Sequence, residues 1–93
     1  MGKASRQKPA RLGEKLLQMR ETLGLSQNEM IRYVGLDDVV SRNNLSIYES
    51  GRREPSVIII MKFARAVGIP MEILVDDQLD LPKKLPAGPR QKR

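Results

Sequence analysis

The chain has 93 residues, 40% of them hydrophobic and only three aromatic, with a net charge of +6 and neither Cys nor His. That length allows one small domain. The missing Cys and His exclude disulfides, thiolate metal sites and the commonest general base, so neither a metal nor a cofactor is expected.

No apolar run approaches the roughly 20 residues needed to span a bilayer. No apolar segment follows the charged N-terminus, as a signal peptide would require. A cytoplasmic protein that does not enter a membrane is expected. Lys3, Arg6, Lys8 and Arg11 give residues 1–11 a charge of +4, and eight basic and eight acidic side chains cancel over 12–75. Five basic against three acidic side chains give +2 over 76–93. Basic ends on a neutral domain suit a polyanion partner; a merely solubilising tail is the plainer alternative.

Residues 1–10 lack periodicity and contain Pro9, and they read as a basic arm without regular structure. Such an arm can lie along phosphates or enter a minor groove, or be a frayed terminus. A first helix is expected over about 11–23, where Leu12, Leu16, Met19 and Leu23 form one stripe and Gly24 closes the end. Leu17 lies off that stripe. A second helix is expected over about 27–34. Ser26 and Glu29 form a capping box ahead of it, and Met30, Ile31 and Val34 are its buried edge. Gln27 sits in its first turn, where free N–H groups favour a phosphate, although a glutamine is also simply tolerated there.

Residues 35–40, Gly-Leu-Asp-Asp-Val-Val, connect to the next helix. Leu36 and one valine should plug the core. Asp37 and Asp38 would be repelled by phosphate, so they should point away or cap an extra turn.

The stretch 41–51, Ser-Arg-Asn-Asn-Leu-Ser-Ile-Tyr-Glu-Ser-Gly, organises the chain. Ser41 is a good N-cap and Gly51 can end the helix. At about 100° per residue Leu45 and Tyr48 share one side and can face a core. Asn43, Asn44, Ser46 and Ile47 share the other, which is short, polar and almost uncharged. Asn bonds adenine bidentately, Arg42 at the helix start can reach guanine, and Ile can touch a thymine methyl. The bland alternative is a polar surface helix that touches nothing. Arg52 and Arg53 follow in a loop suited to phosphate contacts, or stand as solvated charges with Arg53 paired to Glu54.

A fourth helix should start at Ser56 and run to about Val67. Val57, Ile60, Met61, Ala64 and Val67 are its expected core face. Ile59, Phe63 and Ala66 form a second stripe, to be covered by a fifth helix or by a partner subunit. The fifth helix is expected over about 71–75, with Pro70 in its first positions. Pro82, Pro86 and Pro89 then break any regular element. The division is an arm at 1–10, an all-α domain at 11–77 and a Pro-rich basic tail at 78–93, packed near Leu79 and Leu81 and free beyond.

From Leu12 to about Leu74 the pattern resembles the phage-repressor and Cro-like (XRE-type) helix-turn-helix domains. The matching runs are Gly-Leu-Ser-Gln-Asn-Glu (24–29), Ser-Ile-Tyr-Glu-Ser-Gly (46–51), Arg-Arg-Glu-Pro-Ser (52–56) and Phe-Ala-Arg-Ala-Val-Gly-Ile (63–69). The resemblance implies a compact five-helix lambda-repressor-like fold. It implies that Gln27 contacts phosphate and braces the recognition helix. It implies that Arg42, Asn43, Asn44 and Ile47 read base edges and that Arg52 and Arg53 grip phosphate; Ser41 and Ser46, on the same helix, are counted with the DNA-binding residues. Arg20 and Glu49 match positions of a buried ion pair, which agrees with the need of a buried charge for a partner. The chain departs from the family at Gly35–Tyr48, about four residues longer than usual, and at Ile47, where a polar residue is more common.

Three functions compete. Sequence-specific binding of double-stranded DNA by a homodimeric transcription regulator is the first. A protein-binding module such as an antitoxin or adaptor, with a toxin or regulator as partner, is the second; Ile47, the second stripe of the fourth helix and Asp37-Asp38 favour it. An enzyme is the third and is not expected: no nucleophile has an adjacent base, and Asp37-Asp38 and Asp76-Asp77 are adjacent in sequence, a poor arrangement for an acid/base pair.

Overall fold

A computed structural model describes residues 8–86. It has five helices: α1 (Leu12–Leu23), α2 (Gln27–Tyr33), α3 (Arg42–Glu49), α4 (Val57–Val67) and α5 (Met71–Val75). No strand occurs among the described residues. Three of the helices, α2, α3 and α4, start where the chain offers a side-chain acceptor. Ser26, Ser41 and Ser56 accept from the backbone N–H of Glu29, Asn44 and Ile59 respectively. Each bond satisfies one of the donors that a helix start leaves open. At Ser26 the box is reciprocal, because Glu29 accepts from the Ser26 N–H at 2.8 Å. Those bonds hold the Glu29 carboxyl below the usual glutamate range.

α1 packs against α3 and α5, α2 packs against α3, and α4 packs against α5. The core between them takes Leu12, Leu16 and Met19 from α1, Met30 and Ile31 from α2, and Leu45 and Tyr48 from α3. The connection from α2 to α3 is anchored at both ends, by buried Leu36 and Val40. Between them the chain makes one tight turn, with the N–H groups of Val39 and Val40 both donating to the Leu36 carbonyl. Asp37, Asp38 and Val39 point outward. The extra residues are thus absorbed as a turn on the surface, and α3 begins one residue after Ser41.

α4 differs from the sequence expectation. Val57, expected in the core, is 63% exposed, and Ile58 is 56% exposed. Ile60, Ala64 and Val67 are buried as expected, Met61 is only half-buried, and Ile59 and Phe63 of the second stripe are buried too. Five consecutive apolar residues, 57–61, carry no periodicity that could phase the helix. Ile59 and Phe63 are covered within the one chain, so they offer a second subunit nothing. Pro70 is the N-cap of α5 and stands just outside the helix.

One glycine fixes a close approach. A Cβ on Gly13 would lie 2.6 Å from the Tyr48 carbonyl oxygen and 3.0 Å from the Gly51 nitrogen. The start of α1 therefore meets the end of α3 backbone to backbone, where no larger residue fits.

The same start of α1 is also tied to the end of α5 and the segment after it. Lys15 is fully buried, and its Nζ donates to the carbonyls of Ile73 at 2.8 Å and Asp76 at 2.9 Å. It caps the C-terminal end of α5, whose last carbonyls lack helical partners. Burial pushes the Lys15 amine below the usual lysine range. Asp77 accepts from the N–H groups of Ala10 and Arg11 at 2.9 and 3.0 Å, and those bonds hold its carboxyl below the usual range. It serves α1 as an N-cap from 66 residues away, in place of Arg11, whose own side chain does not cap. The Arg11 guanidinium instead donates to the Asp77 carbonyl and to the Asp80 carboxylate, at 2.9 and 2.6 Å. Leu81 is buried and Leu85 packs against the core, so the chain stays on the domain beyond residue 77. The first seven residues of the arm expected at 1–10 and the last seven of the tail lie outside the described residues.

Candidate nucleic-acid interface

α3 presents two unlike sides. Leu45 is fully buried and Tyr48 is 8% exposed. Ser41, Arg42, Asn43 and Ser46 are exposed, while Asn44 and Ile47 are half-buried. The helix is rigidly placed from both ends, by the Ser41 cap and by the Gly13 contact.

Below it lies a node of three helices. Arg20 in α1 donates from Nε to Glu49 Oε2 at 2.7 Å and from a terminal nitrogen to Glu49 Oε1 at 3.1 Å. Gln27, first residue of α2, donates its amide N–H to the same Oε1 at 3.0 Å. Arg20 also donates to the Leu25 carbonyl at 3.1 Å, which fixes the link from α1 to α2. The Arg20 side chain is 18% exposed and that of Glu49 is 6% exposed. The bond to Glu49, opposed by desolvation, holds the guanidinium above its usual range. The two-point geometry is the strong form of such a pair. Gln27 braces the end of α3 through Glu49.

Arg52 and Arg53 stand exposed just past α3. Arg52 is oriented by Ser50: its Nε donates to Ser50 Oγ at 3.1 Å, and that hydroxyl donates to the Ile47 carbonyl at 2.7 Å. Sequence reasoning did not single out Ser50, although a serine in the last turn of a helix often bonds a carbonyl three or four residues back. Lys15, Gly13 and Asp77 were missed as well. Lys15 alone left a trace, because it falls on the apolar stripe of α1.

Gln27, Arg42, Asn43, Ser46, Arg52 and Arg53 thus gather around α3, a mixture of neutral amides and hydroxyls edged by guanidinium groups. A profile described as helix-turn-helix matches residues 16–74. The chain is a helix-turn-helix protein of the repressor/Cro-like type. Its five-helix architecture agrees, and membership makes it a DNA-binding regulator by class, in a family typically without enzymatic activity. Among solved structures, the family member is similar to the restriction-modification controller protein C.AhdI from Aeromonas hydrophila. The two share 31% identity with a TM-score of 0.58, over 70% of this chain and 92% of that one. No curated protein matches this helix-turn-helix chain in sequence. No helix among the described residues is long and apolar enough to cross a membrane.

Proposed function

We propose that the protein is a sequence-specific double-stranded DNA-binding transcription regulator that lays α3 in the major groove. One observation carries the reading: Leu45 and Tyr48 are anchored inward, while Arg42, Asn43 and Ser46 stand exposed on the far side of the same helix. Arg42, Asn43, Asn44, Ser46 and Ile47 then read base edges, with Ser41 at the helix start. Gln27, Arg52 and Arg53 hold phosphates and set the register. The likeness to a controller protein supports a regulatory role over passive DNA coating. A homodimer placing two α3 helices about one helical turn apart is the expected form; Val57 and Ile58, exposed at the start of α4, are the apolar surface left for it.

Selection of sites from random duplexes tests the reading, and a failure to enrich any sequence rejects it. On the selected site, Asn43→Ala should cost roughly 1–3 kcal/mol and should barely affect random DNA. Arg52→Ala should weaken both alike and flatten the salt dependence.

A second reading, an antitoxin or adaptor with a protein partner, is favoured by Val39, 63% exposed beside Asp37 and Asp38. It predicts a stoichiometric protein partner together with no DNA shift at low salt. The second stripe of α4 no longer supports it, because Ile59 and Phe63 are buried.

A further inference from the structure

Lys8, Arg52 and Arg53 line a single cleft of about 700 Å³ that reaches Tyr48 and Gly51 at the end of α3. Glu54 is the one carboxylate in its lining. Lys8 and Pro9 also line a second cleft of about 710 Å³, whose carboxylates are Glu54, Glu72, Asp76 and Asp77. Lys8 and Pro9 thus form part of the wall shared by a basic cleft and an acidic one, with Glu54 and Val57. An anion is attracted to the first and repelled from the second. The short segment 8–10 belongs to no helix. Pro9 restricts Lys8 to extended backbone, but what fastens the segment is Asp77, through the N–H groups of Ala10 and Arg11. Arg11 doubles the tie by gripping Asp80 and the Asp77 and Leu79 carbonyls.

We propose that Asp77 is a positioning residue for DNA: it holds segment 8–10 so that Lys8 joins Arg52 and Arg53 around one backbone phosphate beside the end of α3. This rests on the DNA-binding reading above. It adds a phosphate contact outside the helix-turn-helix unit and makes that contact depend on the segment after α5. Asp77 itself lines the acidic cleft and touches no DNA.

A double-mutant cycle on the selected duplex, measured over a range of salt, tests the proposal. Lys8→Ala should weaken binding roughly three- to tenfold and lower the salt slope by about one. Asp77→Ala should reproduce both changes, and the double variant should bind no more weakly than Lys8→Ala. A merely structural Asp77 would leave the salt slope alone, and its loss would multiply with that of Lys8. Either result overturns the proposal. Should Asp77→Ala fail to fold by circular dichroism, Asp77→Ser carries the same cycle. A wild-type chain that prefers no duplex removes the DNA reading and this proposal together. Specific wild-type binding with multiplied losses removes the proposal alone.

Discussion

Two cations of α1 hold two different helix ends, that of α3 and that of α5, and they are answered differently. Arg20 meets a carboxylate at two points under the recognition helix. Lys15 meets two backbone carbonyls at the end of α5. In the first case the partner carries a full charge, so the bond sustains the ionised state. In the second only peptide carbonyls accept its hydrogen bonds, and desolvation outweighs the pull of Asp77, Asp80 and Asp76 nearby. The planar fork of arginine suits the first task, and the compact, adjustable ammonium suits the second. The end of α3 is thus held by a fixed two-point geometry. The end of α5, where the N-terminal arm and the segment after α5 gather, is held by a softer cap.

Removing the carboxylate should break the first end most severely. Glu49→Ala leaves the charged Arg20 largely buried without its partner carboxylate and takes the acceptor from Gln27. A loss of about 3 kcal/mol in urea unfolding is expected, with weaker DNA binding because α3 loses its brace. A loss under about 1 kcal/mol would place this pair among solvated surface pairs and erase the contrast with Lys15.

At the second end Lys15→Met keeps the volume and removes the donors. The carbonyls of Ile73 and Asp76 would lose their partner. A loss of about 2 kcal/mol is expected, smaller than for Glu49 because no charge is stranded. DNA specificity should survive, since α3 is untouched. A neutral effect on stability would mean that those carbonyls find water, and that the amine is incidental.

These two ends were unequally legible in the sequence. Arg20 and Glu49 stood out because each matched a family position. The caps at Ser26 and Ser41 were legible because a capping hydroxyl and the N–H that donates to it lie three residues apart, and Ser56 was legible as the start of α4. Lys15 was not, since the carbonyls it serves lie 58 and 61 residues away and a backbone carbonyl has no residue signature. Asp77 was hidden for the same reason: its partners are main-chain N–H groups at the far end of the chain. Gly13 in the first turn of α1 gave no sign that the end of α3 would press on it. The phase of α4 was lost in an unbroken apolar run, which cost Val57 its expected place and removed Ile59 and Phe63 from the argument for a dimer.

The smallest expected effect separates the ends by pH. Arg20 is held above its usual range and keeps its proton throughout any accessible titration. Lys15 is lowered from the ordinary lysine value of 10.5, first by desolvation and then by Arg11. The native state therefore releases this proton more readily than the unfolded chain. Between the folded pKa and 10.5 the unfolded state binds more protons, so the Lys15 contribution to stability rises with pH there and falls back on acidification. The bonds need not be lost, because a neutral amine retains two N–H donors for its two carbonyls. The stability difference between wild type and Lys15→Met should accordingly grow across the alkaline window below 10.5. Other titrating groups, common to both proteins, cancel in that difference. A difference that shrinks with rising pH would show that the ammonium charge itself, drawn to the end of α5, outweighs its desolvation, and the two cations of α1 would then be answered alike.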